Sequence, residues 1–157
     1  MSYRRYLLAL AAVALAFIAG CATTASATAP TAEQVVTQLV QHVPTATPGI
    51  VFTAETDPNS LLGRPGGYTS KASFTDSRVP VDEVIGAQEG AVEYGGSVEI
   101  FDSERAAQQR KQYIDAFASI PLAVEYSYVS GPVLLRVSRA LTPGQAAEYE
   151  RALAETG

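Results

Sequence analysis

From Thr31 onward the chain alternates between two hydrophobic periods. Val35, Val36, Leu39, Val40 and Val43 recur at the three- and four-residue spacing of one helix face, which predicts a helix that ends at Pro44. Thr31-Ala32-Glu33-Gln34 opens it as a capping box, because the Thr hydroxyl and the Gln amide can each satisfy a backbone N–H of the other residue. Ile50–Ala54 and Tyr68–Phe74 carry strand alternation. In the second, Tyr68, Ala72 and Phe74 share one face while Thr69, Lys71 and Ser73 share the other. Ser97–Phe101 is a third strand. Asp102 is placed to cap a helix through about Ser119, with Ala106, Tyr113, Ile114, Phe117 and Ile120 inward and Pro121 as its stop. Val124–Val129 and Val133–Arg139 flank Ser130-Gly131-Pro132 as a hairpin. Thr142-Pro143-Gly144-Gln145 is a second capping box, followed by the apolar stripe Ala146, Tyr149 and Leu153.

The predicted order is α-β-β-β-α-β-β-α, with Ala91–Tyr94 a candidate extra strand and Gly95-Gly96 read as a bulge or hairpin before the third strand. Helices mixed with hairpins imply an α+β two-layer sandwich, a mainly antiparallel sheet with helices on one face. The β-α-β-β-α tail resembles part of a ferredoxin-like motif. That likeness concerns fold and carries no activity.

The first thirty residues follow a different logic. Arg4 and Arg5 precede the uncharged apolar run Leu7–Ile18, which as a helix would rise about 18 Å against roughly 30 Å of bilayer hydrocarbon. It reads as a signal peptide and not as a permanent span. Ile18-Ala19-Gly20-Cys21 then resembles the lipobox of bacterial lipoproteins, with cleavage after Gly20 and acylation of Cys21. The likeness is specific because basic start, short core and four-residue box occur in register and Cys21 is the single Cys. Under it, residues 1–20 are the signal peptide and residues 21–30 are the acylated Cys with a flexible tether of small residues. Residues 31–157 form one α+β extracytoplasmic domain.

Composition then removes chemistries. One Cys and one His exclude a disulfide framework and any metal or haem site needing several such ligands from this chain, so no metal and no cofactor are expected. Any serine, cysteine or zinc enzyme would have to use His42, which sits at a helix end favourable for an imidazolium. Losing Arg4 and Arg5 takes the formal charge from −5 to −7, which disfavours nucleic acid as a partner.

Glu55-Thr56-Asp57-Pro58-Asn59 begins like a calcium loop, but Leu61 and Leu62 occupy the positions where ligands would follow, so it reads as a turn. Asp82, Glu83, Glu89 and Glu93 read as solvated charge. Leu61–Tyr68 is the most informative internal stretch: three Gly and one Pro shape a loop, and Arg64 and Tyr68 supply recognition groups, with Lys71 and Arg78 near in sequence. A tight loop whose Arg pairs with an acid fits the same residues. The tyrosines 94, 113, 126, 128 and 149 suit either a ligand groove or a sheet–helix interface.

Thr53–Lys71, followed by Gly95-Gly96-Ser97-Val98-Glu99-Ile100-Phe101, resembles small uncharacterised lipoproteins of high-GC Gram-positive bacteria, over most of Thr31–Gly157. The resemblance implies the cell-membrane address and no mechanism. The expectation is a non-catalytic binding domain, anchored through acyl chains on Cys21, that contacts an envelope protein through Arg64, Tyr68, Lys71 and Arg78. A small-ligand carrier or sensor, with a pocket between sheet and helices, is the alternative reading. A carboxylate-based cell-wall hydrolase is a third.

Overall fold

The computed structural model describes residues 29–117 and 124–156, so the expected signal peptide with Gly20 and Cys21, and likewise Ser119, Ile120 and Pro121, lie outside the described residues. Along the chain run α1 (Ala32–His42), β1 (Ala46–Val51), β2 (Ser70–Asp76), β3 (Gly95–Ile100), α2 (Glu104–Asp115), β4 (Glu125–Ser130), β5 (Val133–Ser138) and α3 (Pro143–Glu155). This is the element order expected from the pattern. The strands form one sheet in the order β1-β2-β3-β5-β4, antiparallel at every joint, giving the expected α+β sandwich. β3 and β4 therefore run parallel on either side of β5 with α2 as their crossover, a split β-α-β unit of the ferredoxin-like kind.

Local chemistry accounts for most boundaries. Thr31 and Gln34 exchange capping hydrogen bonds at α1, as do Thr142 and Gln145 at α3. Gly131 turns the β4–β5 hairpin at φ +51°. Other boundaries moved. Ser103 caps α2 in place of Asp102, accepting from the Ala106 amide. β1 starts earlier than Ile50 because Ala46, Thr47 and Pro48 pair with β2 before an irregularity at Pro48–Val51, tolerable on an edge strand. Ala91–Tyr94 gives no strand; Val92–Tyr94 is a 3₁₀ turn. Gly95 and Gly96 belong to β3 itself, where Gly96 faces Phe74 across the strands. A Cβ on Gly96 would collide with the Phe74 ring and the Arg136 carbonyl.

One sheet face carries the main core. Val35, Val36 and Leu39 of α1 and Ala146, Tyr149 and Leu153 of α3 pack on Ala72, Phe74, Val98, Ile100, Leu135 and Val137. Phe74 and Tyr149 stack with ring centroids 5.0 Å apart, and the Tyr149 hydroxyl donates to Asp76 at 2.6 Å. α2 packs on the other face, its Ala107 and Ile114 meeting Leu134, Tyr68 and Phe101. Leu134 sits between Val133 and Leu135 on β5 and so points away from the main core. The helices thus divide two to one between the faces among the described residues, and Tyr68 falls on the opposite side from Ala72 and Phe74.

Gly96→Ala is expected to cost about 1–3 kcal/mol through overpacking between rigid neighbours. Gly144→Ala, where an added Cβ meets nothing within 4 Å, is expected to leave stability unchanged or slightly raised. Urea unfolding of the two variants against the parent checks both.

Candidate functional site

Beyond the patch covered by α2, the second sheet face is polar. The register aligns Ser73, Ser97, Arg136 and Ser127 in one row across four strands, and Lys71, Glu99 and Leu134 in the next. These side chains are not washed by solvent as strand alternation alone would suggest: Glu99 and Ser97 are 0% exposed and Lys71 is 4% exposed.

Their burial is met by ion pairing. Arg136 donates Nη1 to Glu99 at 3.1 Å, and its Nε and Nη2 grip Glu125 at 2.7 Å each. Arg110 of α2 reaches the same Glu99 with Nε at 3.4 Å. Lys71 Nζ donates to Asp57 at 3.0 Å and lies 4.6 Å from the centre of the Phe52 ring. Asp57 also accepts from the Tyr68 hydroxyl at 2.6 Å and from the amides of Leu61 and Leu62. Three cations therefore face three carboxylates. Each pair is desolvated, so removing one partner leaves a costly uncompensated charge.

The titration shifts follow from this packing. Burial opposes ionisation of Asp57, but the hydrogen bonds from Tyr68, the Leu61 amide and Lys71, with the Lys71 charge, hold its carboxyl well below the usual range. Burial pushes Lys71 down from the usual lysine value against the pull of Asp57 and Glu99. Burial and the bond to Asp57 raise the Tyr68 phenol. On the main-core face, the Asp76 carboxyl resists burial in the same way and is lowered by Arg78 and Tyr149.

A cleft of about 490 Å³ opens over this face. Ser97, Lys71 and Arg136 line its floor, and Arg110, Tyr113 and Phe117 line the α2 side. Its opposite wall is the Ala87–Glu93 segment, tied to β5 where Ser138 Oγ donates to the Glu93 carbonyl at 2.9 Å. Among the described residues Ser97 Oγ is the buried side-chain polar atom with no hydrogen-bond partner. No three His, Cys, Asp or Glu side chains gather as a metal-ligand set among them.

The residues singled out from sequence do not converge on one surface. Arg64 is exposed on its loop. Tyr68 and Lys71 do meet, at 3.4 Å, but both are buried around Asp57. Arg78 lies apart, clamped on Asp76 at 2.7 Å and on Glu148 at 2.6 Å. Tyr113 and Phe117, expected on the inner face of α2, are 58% and 40% exposed and form an edge-to-face pair at the cleft rim. His42 is exposed at the end of α1, 2.9 Å from Glu155. Sequence reasoning passed over Ser97, Glu99, Arg110 and Arg136. The available signal was polar alternation in β3, β5 and α2, which by itself also fits a solvated face.

Lys71→Met, which strands Asp57, is expected to cost about 3–5 kcal/mol, with part recovered in the Asp57→Asn/Lys71→Met double variant. Because Asp57 titrates lower folded than unfolded, its stabilisation is complete above about pH 4 and is lost as pH falls below that. Urea unfolding at pH 7 and pH 3 is therefore expected to show acid destabilisation that is shallower in Asp57→Asn. The chain itself matches no protein-family model, no curated protein and no solved structure.

Proposed function

We propose that the chain is a lipid-anchored extracytoplasmic domain that binds a small ligand, without catalysis, in the cleft between the sheet and α2. The observation that carries this reading is Ser97 Oγ. It is fully buried, unpartnered among the described residues, and on the floor of a cleft large enough for a small molecule. A buried hydroxyl left unpaired costs about 1–3 kcal/mol, and a ligand that displaces the side chains shielding it and then hydrogen-bonds it recovers that cost.

Two further points support binding of a small molecule over the other readings. Of the four residues first offered as a protein-contact surface, Arg64 alone keeps its polar group in solvent; the others are engaged internally. Glu125, which lines the cleft, and the buried Glu99 beneath it are each gripped by Arg136, an arrangement that holds both carboxylates in fixed ion pairs. The anchor rests on the basic start, the apolar run and Ile18-Ala19-Gly20-Cys21. Among the described residues no helix is long and apolar enough to cross a membrane.

Screening the isotopically labelled residue 31–157 domain by NMR against a small-molecule fragment library tests the cleft. Saturable shifts clustered at Ser97, Arg110 and Tyr113 are expected; hits elsewhere, or none, contradict the reading. The anchor has its own test. Cys21→Ser is expected to move the full-length chain, expressed in bacteria, from the detergent phase to the aqueous phase on detergent partitioning, and an unchanged distribution rejects acylation at Cys21.

A further inference from the structure

Four cations line the cleft; Arg139, exposed, gives Nη2 to Glu83 at 3.0 Å, and the three that sit over the sheet differ in what they have left to give. Arg136 spends Nε and Nη2 on Glu125 and Nη1 on Glu99, and Lys71 is held by Asp57. The carboxylates paired with these three are similarly engaged: Glu99 takes two arginines, Glu125 takes the Arg136 fork and the Ser127 hydroxyl, and Asp57 takes Tyr68, Lys71 and three amides. Arg110 is the exception. It offers only Nε to Glu99, at a long 3.4 Å, and neither Nη has a hydrogen-bond partner among the described residues, although its side chain is only 14% exposed. Its guanidinium carbon lies 5.3 Å from the centre of the Tyr113 ring, which helps fix its plane.

Spare capacity on the floor and the α2 side of the cleft is thus weighted towards donors: the outer edge of one oriented guanidinium and the Ser97 hydroxyl. A flat fork of that kind matches a carboxylate held by two parallel N–H groups. Apolar surface adjoins it. Arg110, Tyr113 and Phe117 follow one another at i, i+3 and i+7, a single stripe that lines the cleft together with the exposed Val124. Glu93 on the opposite wall adds negative charge, which favours a monoanion over a phosphate dianion.

Building on the binding reading above, we infer that the cleft selects a small carboxylate with an apolar body. Arg110 Nη and the Ser97 hydroxyl hold its oxygens, and Tyr113, Phe117 and Val124 cover its apolar part. A cation meets Arg110 head-on and is rejected. A neutral isostere gives the free Nη groups of Arg110 a weaker hydrogen bond than a carboxylate does.

The test compares four probes of one shape on the labelled domain: benzoate, benzamide, benzylamine and phenyl phosphate. Benzoate is expected to give saturable shifts at Ser97, the Arg110 side chain and Tyr113. Benzamide and benzylamine are expected to bind about 10-fold more weakly or worse. Arg110→Gln is expected to weaken benzoate at least about 10-fold with the rest of the amide spectrum retained, and Arg110→Lys, which keeps the charge but loses the fork, to fall between. Ser97→Ala is expected to weaken benzoate without destabilising the free domain, since it removes a hydroxyl that has no partner. Benzamide or benzylamine binding as tightly as benzoate at these residues overturns the carboxylate assignment and leaves the cleft reading standing. Phenyl phosphate binding more tightly than benzoate also overturns it. Absence of saturable shifts at these residues from all four probes overturns the inference, and the fragment screen decides separately whether the cleft binds anything.

Discussion

Glu99 is a fully buried carboxylate in the middle of the sheet, and much of the molecule is arranged to compensate it. Unpaired, such a charge costs several kcal/mol, more than one surface interaction can return. Arg136 answers from β5 and continues to Glu125, so one guanidinium links β3, β5 and β4. Arg110 answers from α2 and ties that helix to the sheet, beside the apolar contact of Ala107 and Ile114 with Leu134. The packing of Ala107 and Ile114 seats α2, and with it the wall of the cleft, while Arg136 is the principal partner of this carboxylate and Arg110 adds a longer second contact.

The two faces of the sheet accordingly do different work. The face under α1 and α3 is an apolar core closed by Phe74 stacked on Tyr149, with a buried acid, Asp76, answered by Arg78 and Tyr149. It sets stability. On the other face, charge and hydroxyl groups replace methyl groups, which reduces hydrophobic stabilisation there and creates oriented donors in a partly desolvated cleft. Spending core-quality burial on ion pairs is poor value for stability alone, and it is intelligible where the same groups hold a ligand.

The fold was legible because its signals are local. Capping boxes at Thr31 and Thr142, the Gly131 turn, and the helical spacing of Val35 to Leu39 each depend on residues a few positions apart. The site was not, for two physical reasons. Strand alternation shows which side chains share a face but not what covers that face, so Lys71, Ser97, Glu99 and Arg136 look the same whether they meet water or α2. Side chains in loops depend on long-range partners. Tyr68 reads as an exposed recognition group beside Arg64, yet Asp57, eleven residues earlier, draws its hydroxyl inward. The stripe of α2 was misjudged in part in the converse way: Ile114 is buried as its spacing predicts, but Tyr113 and Phe117, which look like core, are exposed, and the smaller Ala107 is buried instead.

The most direct test of the account is equilibrium dialysis of the purified residue 31–157 domain against a small-molecule extract of bacterial cell envelope and culture medium, read by untargeted mass spectrometry, with Arg110→Gln run in parallel. The account predicts that at least one acidic, partly apolar compound concentrates on the side of the parent domain and not on that of the variant. Equal concentrations of every compound across both membranes would contradict it.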